Sequence, residues 1–236
     1  MPAPLVVILA GGGGTRIRHL LPDLPKPLAP VAGRPFLEWV IRYLRKQGLG
    51  QILISAGFLA GKLAHFASQQ GVQCVAETRP LGTGGGFLHA FASAGGAASE
   101  VLACNGDSLV LAELAPMIAS LEDQTIAGAL LGVRVLDASR FGTVDADPSG
   151  CLTRFAEKHP GAGLVNGGVY LFRRAALAGF PAGRPLSFEY DVFPALVSQN
   201  RKIKVVSCEA PFLDIGTEES LAQADAFVAQ HKEWFA

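Results

Sequence analysis

Leu5 to Ala10 is an unbroken run of β-branched and aliphatic residues, and four glycines, Gly11 to Gly14, follow it directly. A strand that is apolar at every position has no face to give to water. It belongs inside a sheet covered on both sides, which is the situation of parallel sheets in α/β proteins. The rest of the N-terminal half alternates accordingly. Phe36 to Lys46 sets Phe36, Leu37, Val40, Ile41 and Leu44 at helical spacing, with Arg42, Arg45 and Lys46 off that stripe, and Gly48 ends the segment. Strand-like runs 51–56, 72–76 and 101–104 alternate with helical stretches 62–69 and 85–92. This β-α order predicts a doubly wound sheet with right-handed crossovers.

Beyond residue 125 the rhythm changes to closely spaced strand-like runs, 125–135, 143–146, 151–156 and 164–172, with the turn Asp147-Pro148-Ser149-Gly150 among them. An antiparallel or mixed region capping the sheet is expected there. Helix 187–198, strand 203–207 and helix 217–231 complete the chain, with Thr217 as N-cap and Glu218 and Glu219 in the first helical turn. No repeat or linker interrupts it. One domain spanning 1–236 is expected.

Composition narrows the function classes. Half of the 236 residues are hydrophobic and only 17% are charged, which excludes a disordered chain. Twenty basic residues balance twenty acidic ones, so there is no net field to attract nucleic acid or anionic lipid. No apolar run approaches the ~18 residues that span a bilayer, and no basic segment precedes the first one as in a signal peptide; a cytoplasmic protein without membrane partners is expected. Cys74, Cys104, Cys151 and Cys208 are scattered among apolar stretches and read as small core residues.

Candidate chemistry collects at predicted strand ends. Consecutive glycines let backbone N–H groups close around phosphate oxygens, and a loop after the first strand lies at the carboxyl edge where such sheets bind ligands. Gly11-Gly12-Gly13-Gly14-Thr15-Arg16 lacks the third glycine of the dinucleotide fingerprint and the Gly-Lys-Ser/Thr of the P-loop, so neither familiar motif applies. A plain strand-to-helix turn would explain the glycines alone. Arg16 and Lys26, flanking a segment stiffened by Pro22, Pro25, Pro27 and Pro30, add two cations able to face one polyphosphate. Asn105-Gly106-Asp107 and Asp214-Ile215-Gly216 place two carboxylates on the same edge, a pair suited to Mg²⁺ carried with nucleotide phosphates, although both could be simple turn residues. Leu81-Gly82-Thr83-Gly84-Gly85 is a second glycine-rich turn able to approach a base or phosphate. No histidine pairs with a Ser or Cys nucleophile, and His89 reads as structural.

Leu9-Ala10-Gly11-Gly12-Gly13-Gly14-Thr15-Arg16, followed by Pro25-Lys26-Pro27-Leu28 and Pro30-Val31, resembles the signature of sugar-1-phosphate nucleotidylyltransferases. Gly82 to Gly85, Asn105-Gly106-Asp107, Phe141-Gly142-Thr143-Val144, Glu157-Lys158, Asn166-Gly167-Gly168 and Asp214-Ile215-Gly216 recur in that family's order. Residues 77–86, 164–172, 186–193 and 212–220 look most like the short guanylyltransferases acting on D-glycero-D-manno-heptose 1-phosphate; mannose-1-phosphate and other hexose-1-phosphate enzymes are the alternative.

The resemblance implies an α/β, Rossmann-like doubly wound mixed sheet of the nucleotide-diphospho-sugar transferase type. Its substrates would be GTP and a sugar 1-phosphate, its cofactor Mg²⁺, and its product would feed a bacterial surface polysaccharide; a homodimer is left open. By resemblance, Arg16 would stabilise departing pyrophosphate and Lys26 the phosphates around the reacting centre. Leu9, Ala10, Gly11, Gly12, Gly13, Gly14, Thr15, Glu77, Gly82, Thr83, Asn105 and Gly106 would bind the nucleotide. Gly142, Glu157, Lys158 and Asn166 would bind the sugar phosphate, and Asp107 and Asp214 the metal. Ile17, Ser108 and His159 depart from the usual pattern without removing a charged group. An NAD-dependent oxidoreductase is disfavoured by the missing glycine, and a catalytically dead nucleotide sensor by the retained aspartates and cations.

Overall fold

The computed structural model describes residues 3–95, 98–156 and 160–236. Strand β1 (Leu5–Ala10) leads through the glycine loop and a short hairpin, β2 (Pro30–Val31) and β3 (Arg34–Pro35), into helix α1 (Phe36–Lys46). There follow β4 (Ile52–Ala56), α2 (Ala60–Gln70), β5 (Gln73–Ala76), α3 (Gly82–Ser93), β6 (Glu100–Asn105), β7 (Ser108–Val110) and α4 (Ala115–Ala119). The second half comprises β8 (Ile126–Val135), β9 (Thr143–Ala146), β10 (Leu152–Ala156), β11 (Gly163–Arg173), α5 (Arg174–Leu177), α6 (Phe193–Ser198), β12 (Lys202–Cys208), β13 (Phe212–Asp214) and α7 (Glu218–Gln230).

The fully apolar β1 lies between β4 and β6, parallel to both, with Val7 beside Leu53 and Ala103. Beyond β4 comes β5, also parallel. On the other side β11 pairs antiparallel with β6 through residues 169–173, and β8 pairs antiparallel with β11 and parallel with β12. The sheet is therefore mixed and doubly wound, as its sequence implies. The second half does not cap it as a separate layer. It extends the same sheet, because β8 and β11 are apolar almost throughout and must be covered on both faces; the hairpin β9–β10 branches off, meeting β11 at Val165, and β13 pairs with β7 apart from it.

One core packs α1, α2 and α7 against Ile8, Ile54 and Leu102; the other packs α3 and α6 against Val7, Leu53 and Ala103. Phe87, Tyr170, Phe172, Phe188 and Phe193 form an aromatic cluster in the second. Helix α3 begins at Gly82, three residues before the predicted start, so the second glycine turn is its first helical turn. The expected helix 187–198 is two pieces, a π-helical turn Phe188–Val192 and α6. Thr217 caps α7 as expected, accepting a hydrogen bond from Ser220 N. Cys104 and Cys151 are buried, whereas Cys74 and Cys208 are half-buried, because Cys74 lies on the outer strand β5. No helix among the described residues is long and apolar enough to cross a membrane.

Candidate active site

The glycine loop is set by what lies beneath it. Gly106 N donates to Leu9 O at 2.9 Å, and a Cβ on Gly106 would come within 2.8 Å of that oxygen, so only glycine lets the Asn105–Asp107 turn close over the end of β1. Gly11 O accepts from Phe58 N at 3.2 Å, while Gly14 takes a left-handed φ of 57°. The loop borders a cavity of about 620 Å³ lined by Leu9, Gly11 to Gly13, Glu77, Gly82, Thr83, Asn105 and Asp107. All were predicted for the nucleotide or its metal. Ala10 is buried within the sheet, and Gly14 and Thr15 lie outside the lining.

Four charged side chains gather around Asp107, which lines this cavity, while Arg16, Lys26 and Asp214 stand outside its lining. Strand β13 pairs antiparallel with β7 so that Asp214 stands opposite Ser108, next to Asp107, and Ile215 N donates to Asp107 O at 3.0 Å. The resulting pair of carboxylates comes from residues more than a hundred positions apart. Burial, followed by the Asp107 charge, pushes the Asp214 carboxyl above its ordinary value, while Lys26 and Arg16 oppose the rise. Lys26, held on a short 3₁₀ turn between Pro25 and Ala29, forms an ion pair with Asp107 through its Nζ. The Arg16 guanidinium is close to Gly216, whose added Cβ would lie 3.5 Å from Nη2. Among the described residues no three His, Cys, Asp or Glu side chains could by themselves enclose a metal. Two carboxylates whose charges raise each other's energy fit a divalent ion that completes its shell with phosphate oxygens and water.

Glu77 also lines the cavity. Its Oε2 accepts from Leu81 N at 2.9 Å; its Oε1 makes no hydrogen bond with any described residue. Burial pushes this carboxyl above the usual range. Gly11 and Gly86 leave it room, since a Cβ on either would come within 2.6 Å and 2.4 Å of Oε1. Arg18, Phe58 and Arg79 also line this cavity and were not singled out in the sequence. Arg18 donates to Gly13 O at 2.8 Å and its guanidinium lies 4.4 Å from the Phe58 ring centroid. Its position two residues after Arg16 in the same loop was the available signal.

Gly142 and Asn166 are joined by a bond from Asn166 N to Gly142 O at 3.2 Å but stand outside the cavity lining. Glu157 and Lys158 lie outside the described residues. Asn166 is tied to two residues that sequence reasoning passed over, Tyr170 at 2.8 Å and Glu189 at 3.0 Å.

The nucleotidyl transferase family model matches residues 5–231. Two relatives named D-glycero-alpha-D-manno-heptose 1-phosphate guanylyltransferase are similar to the chain. The one from Campylobacter jejuni is 30% identical, covering 90% of this chain and 95% of its own; the one from Aneurinibacillus thermoaerophilus is 31% identical, covering 92% and 95%. A mannose-1-phosphate guanylyltransferase of Mycobacterium tuberculosis is 32% identical over 93% of this chain and 63% of its own length. The crystal structure of HddC from Yersinia pseudotuberculosis complexed with GMP-PN superposes with a TM-score of 0.83 at 31% identity, covering 94% of this chain and 97% of that one.

Proposed function

The chain belongs to the nucleotidyl transferase family and is a sugar-1-phosphate nucleotidylyltransferase, and from that premise we propose that it transfers GMP from GTP to a manno-heptose 1-phosphate, releasing pyrophosphate and GDP-heptose for a surface polysaccharide. The observation that carries the chemistry is the grouping of Arg16, Lys26 and Asp214 with Asp107, which lines the glycine-loop cavity. A sugar 1-phosphate is already an anion and needs no general base; a phosphate oxygen attacks the α-phosphorus while the bond to pyrophosphate breaks. Positioning and neutralisation of charge then supply the rate. Arg16 serves the leaving pyrophosphate, and Lys26 the phosphates at the reacting centre. Asp107 and Asp214 would hold Mg²⁺, which when bound neutralises phosphate charge. Residues 1–124 carry the nucleotide and 125–236 mainly the sugar phosphate, Gly142, Glu157, Lys158 and Asn166 among them.

The unpartnered Oε1 of Glu77 supports guanine. A carboxylate only accepts hydrogen bonds, and guanine alone among the common bases presents a ring N–H beside an exocyclic amine, two donors for one carboxylate. A site built on such a pair strongly rejects bases that leave it unmatched. The heptose rests on the two relatives that match this chain nearly end to end. Mannose 1-phosphate is the second reading, favoured by the mycobacterial relative.

A pyrophosphate-release screen of GTP, UTP, CTP and dTTP against heptose, mannose and glucose 1-phosphates tests both choices. GTP with the heptose is the expected best pair, with mannose 1-phosphate a slower substrate. Equal or faster turnover of dTTP with glucose 1-phosphate overturns the substrate assignment and leaves the transfer reaction standing.

A further inference from the structure

Asn166 is one of the residues assigned to the sugar site, yet its side chain is almost fully committed inside the protein. Gly168 N donates to its Oδ1 at 3.0 Å, and because a backbone N–H can only donate, this bond fixes which end of the amide is oxygen. The two protons on Nδ2 then go to Tyr170 Oη at 2.8 Å and Glu189 Oε1 at 3.0 Å. No donor is left on Asn166 for a ligand.

Glu189 is different. One carboxylate oxygen is held by Asn166, while Oε2 makes no hydrogen bond with any described residue, and the side chain is half-buried. Its backbone is unusually well anchored. It lies in the π-helical turn Phe188–Val192, a rare conformation that recurs at functional sites. Ser187 Oγ accepts from Glu189 N at 3.1 Å, and Asp191 Oδ2 accepts from Ser187 N at 2.7 Å. The turn is fixed to the nucleotide side by Phe188 N donating to Thr83 Oγ1 at 3.1 Å, and Thr83 lines the cavity. The Tyr170 hydroxyl beside it is raised first by burial and next by the Glu189 charge.

We infer that Glu189 is a specificity-determining residue that reads a hydroxyl of the sugar 1-phosphate through Oε2, with Asn166 and Tyr170 serving to aim it. A sugar hydroxyl donates readily to a carboxylate, and such charge-assisted bonds are short and strong. The inference rests on the sugar-1-phosphate reading above.

The test is Glu189→Gln, which preserves shape and replaces the accepting oxygen with a donor-only nitrogen or disrupts the bond from Asn166. It is assayed with whichever nucleotide and sugar 1-phosphate the wild-type protein turns over fastest. The expected result is a KM for the sugar 1-phosphate raised at least tenfold, with the KM for the nucleotide and the melting temperature unchanged. A sugar KM within twofold of wild type overturns the inference. So does a parallel rise in both KM values accompanied by a fall in melting temperature, which would make Glu189 a structural prop. A wild-type protein inactive with every sugar 1-phosphate overturns the functional reading as well, so the two failures are distinct.

Discussion

Two glycine-rich segments, Gly11 to Gly14 and Gly82 to Gly85, read alike as ligand-facing turns, yet the fold treats Gly12 and Gly85 in opposite ways. In the first, Gly12 is exposed, and a Cβ added to it would meet nothing within 4 Å. The space beside this backbone is left for a ligand. In the second, Gly84 and Gly85 are buried, and a Cβ on Gly85 would come within 2.2 Å of Arg184 O, one on Gly82 within 2.6 Å of Leu186 O. Here the absent side chains let segment 184–188 lie directly on the first turn of α3, with Gly85 N donating to Leu186 O at 3.0 Å and Leu186 N to Leu81 O at 2.8 Å. Gly12 leaves open space beside the backbone, whereas Gly84 and Gly85 are close-packing devices. Sequence composition does not distinguish the two.

The largest effect expected from this contrast is chemical. Arg16→Ala, beside the open loop, should lower kcat about 10²–10³-fold, the scale on which a group stabilising transition-state charge acts, and leave the melting temperature unchanged. A normal kcat with a raised KM would reduce Arg16 to a binding residue. Gly85→Ala, in the packed segment, should destabilise by about 1–3 kcal/mol through overpacking against backbone that cannot turn aside, read as a lower midpoint in urea. An unchanged midpoint would show that segment 184–188 is held from elsewhere.

A smaller effect of opposite sign is expected at Asp214. Its folded-state carboxyl titrates above the ordinary value, so its charged form costs stability. The cost appears as pH rises through the unfolded value near about 4 and is complete above the raised folded value. Asp214→Asn should therefore raise the melting temperature at neutral pH, more than at pH 3. A lower melting temperature at neutral pH would refute it. The smallest effect is Gly12→Ala: stability within about 0.5 kcal/mol of wild type, since Gly12 is exposed and its φ is not left-handed, with any change confined to the nucleotide KM.

The long elements were legible because their patterns are redundant. Strand β1 is apolar at every position, and five stripe residues of α1 are buried as their spacing requires. Boundaries and short pieces were less so. Strands β7 and β13 have three residues each, too few for periodicity to register, yet they bring Asp107 and Asp214 together. Their motifs and their shared sheet edge were readable; the β7–β13 pairing that joins them needed the fold. Glu189 was hidden for another reason. The π turn carrying it has the apolar spacing of a helix, so it read as part of one, and its link to Asn166 spans residues 23 apart. Burial of β8 and β11 on both faces was likewise written in their composition, but not that they would lengthen the first sheet.

The ion pair between Lys26 and Asp107 has a consequence for the order in which guests arrive. Lys26 is a tethered counter-ion, mostly buried, occupying a carboxylate that a divalent cation would otherwise claim. On the proposed function, a cation arriving alone would have to compete with it. The phosphates of a nucleoside triphosphate would offer the ammonium group another anion and so free Asp107. Metal and nucleotide would then make room for one another, and by reciprocity each would tighten the hold on the other to the same degree. The ion pair would act as a latch that the nucleotide opens for the metal.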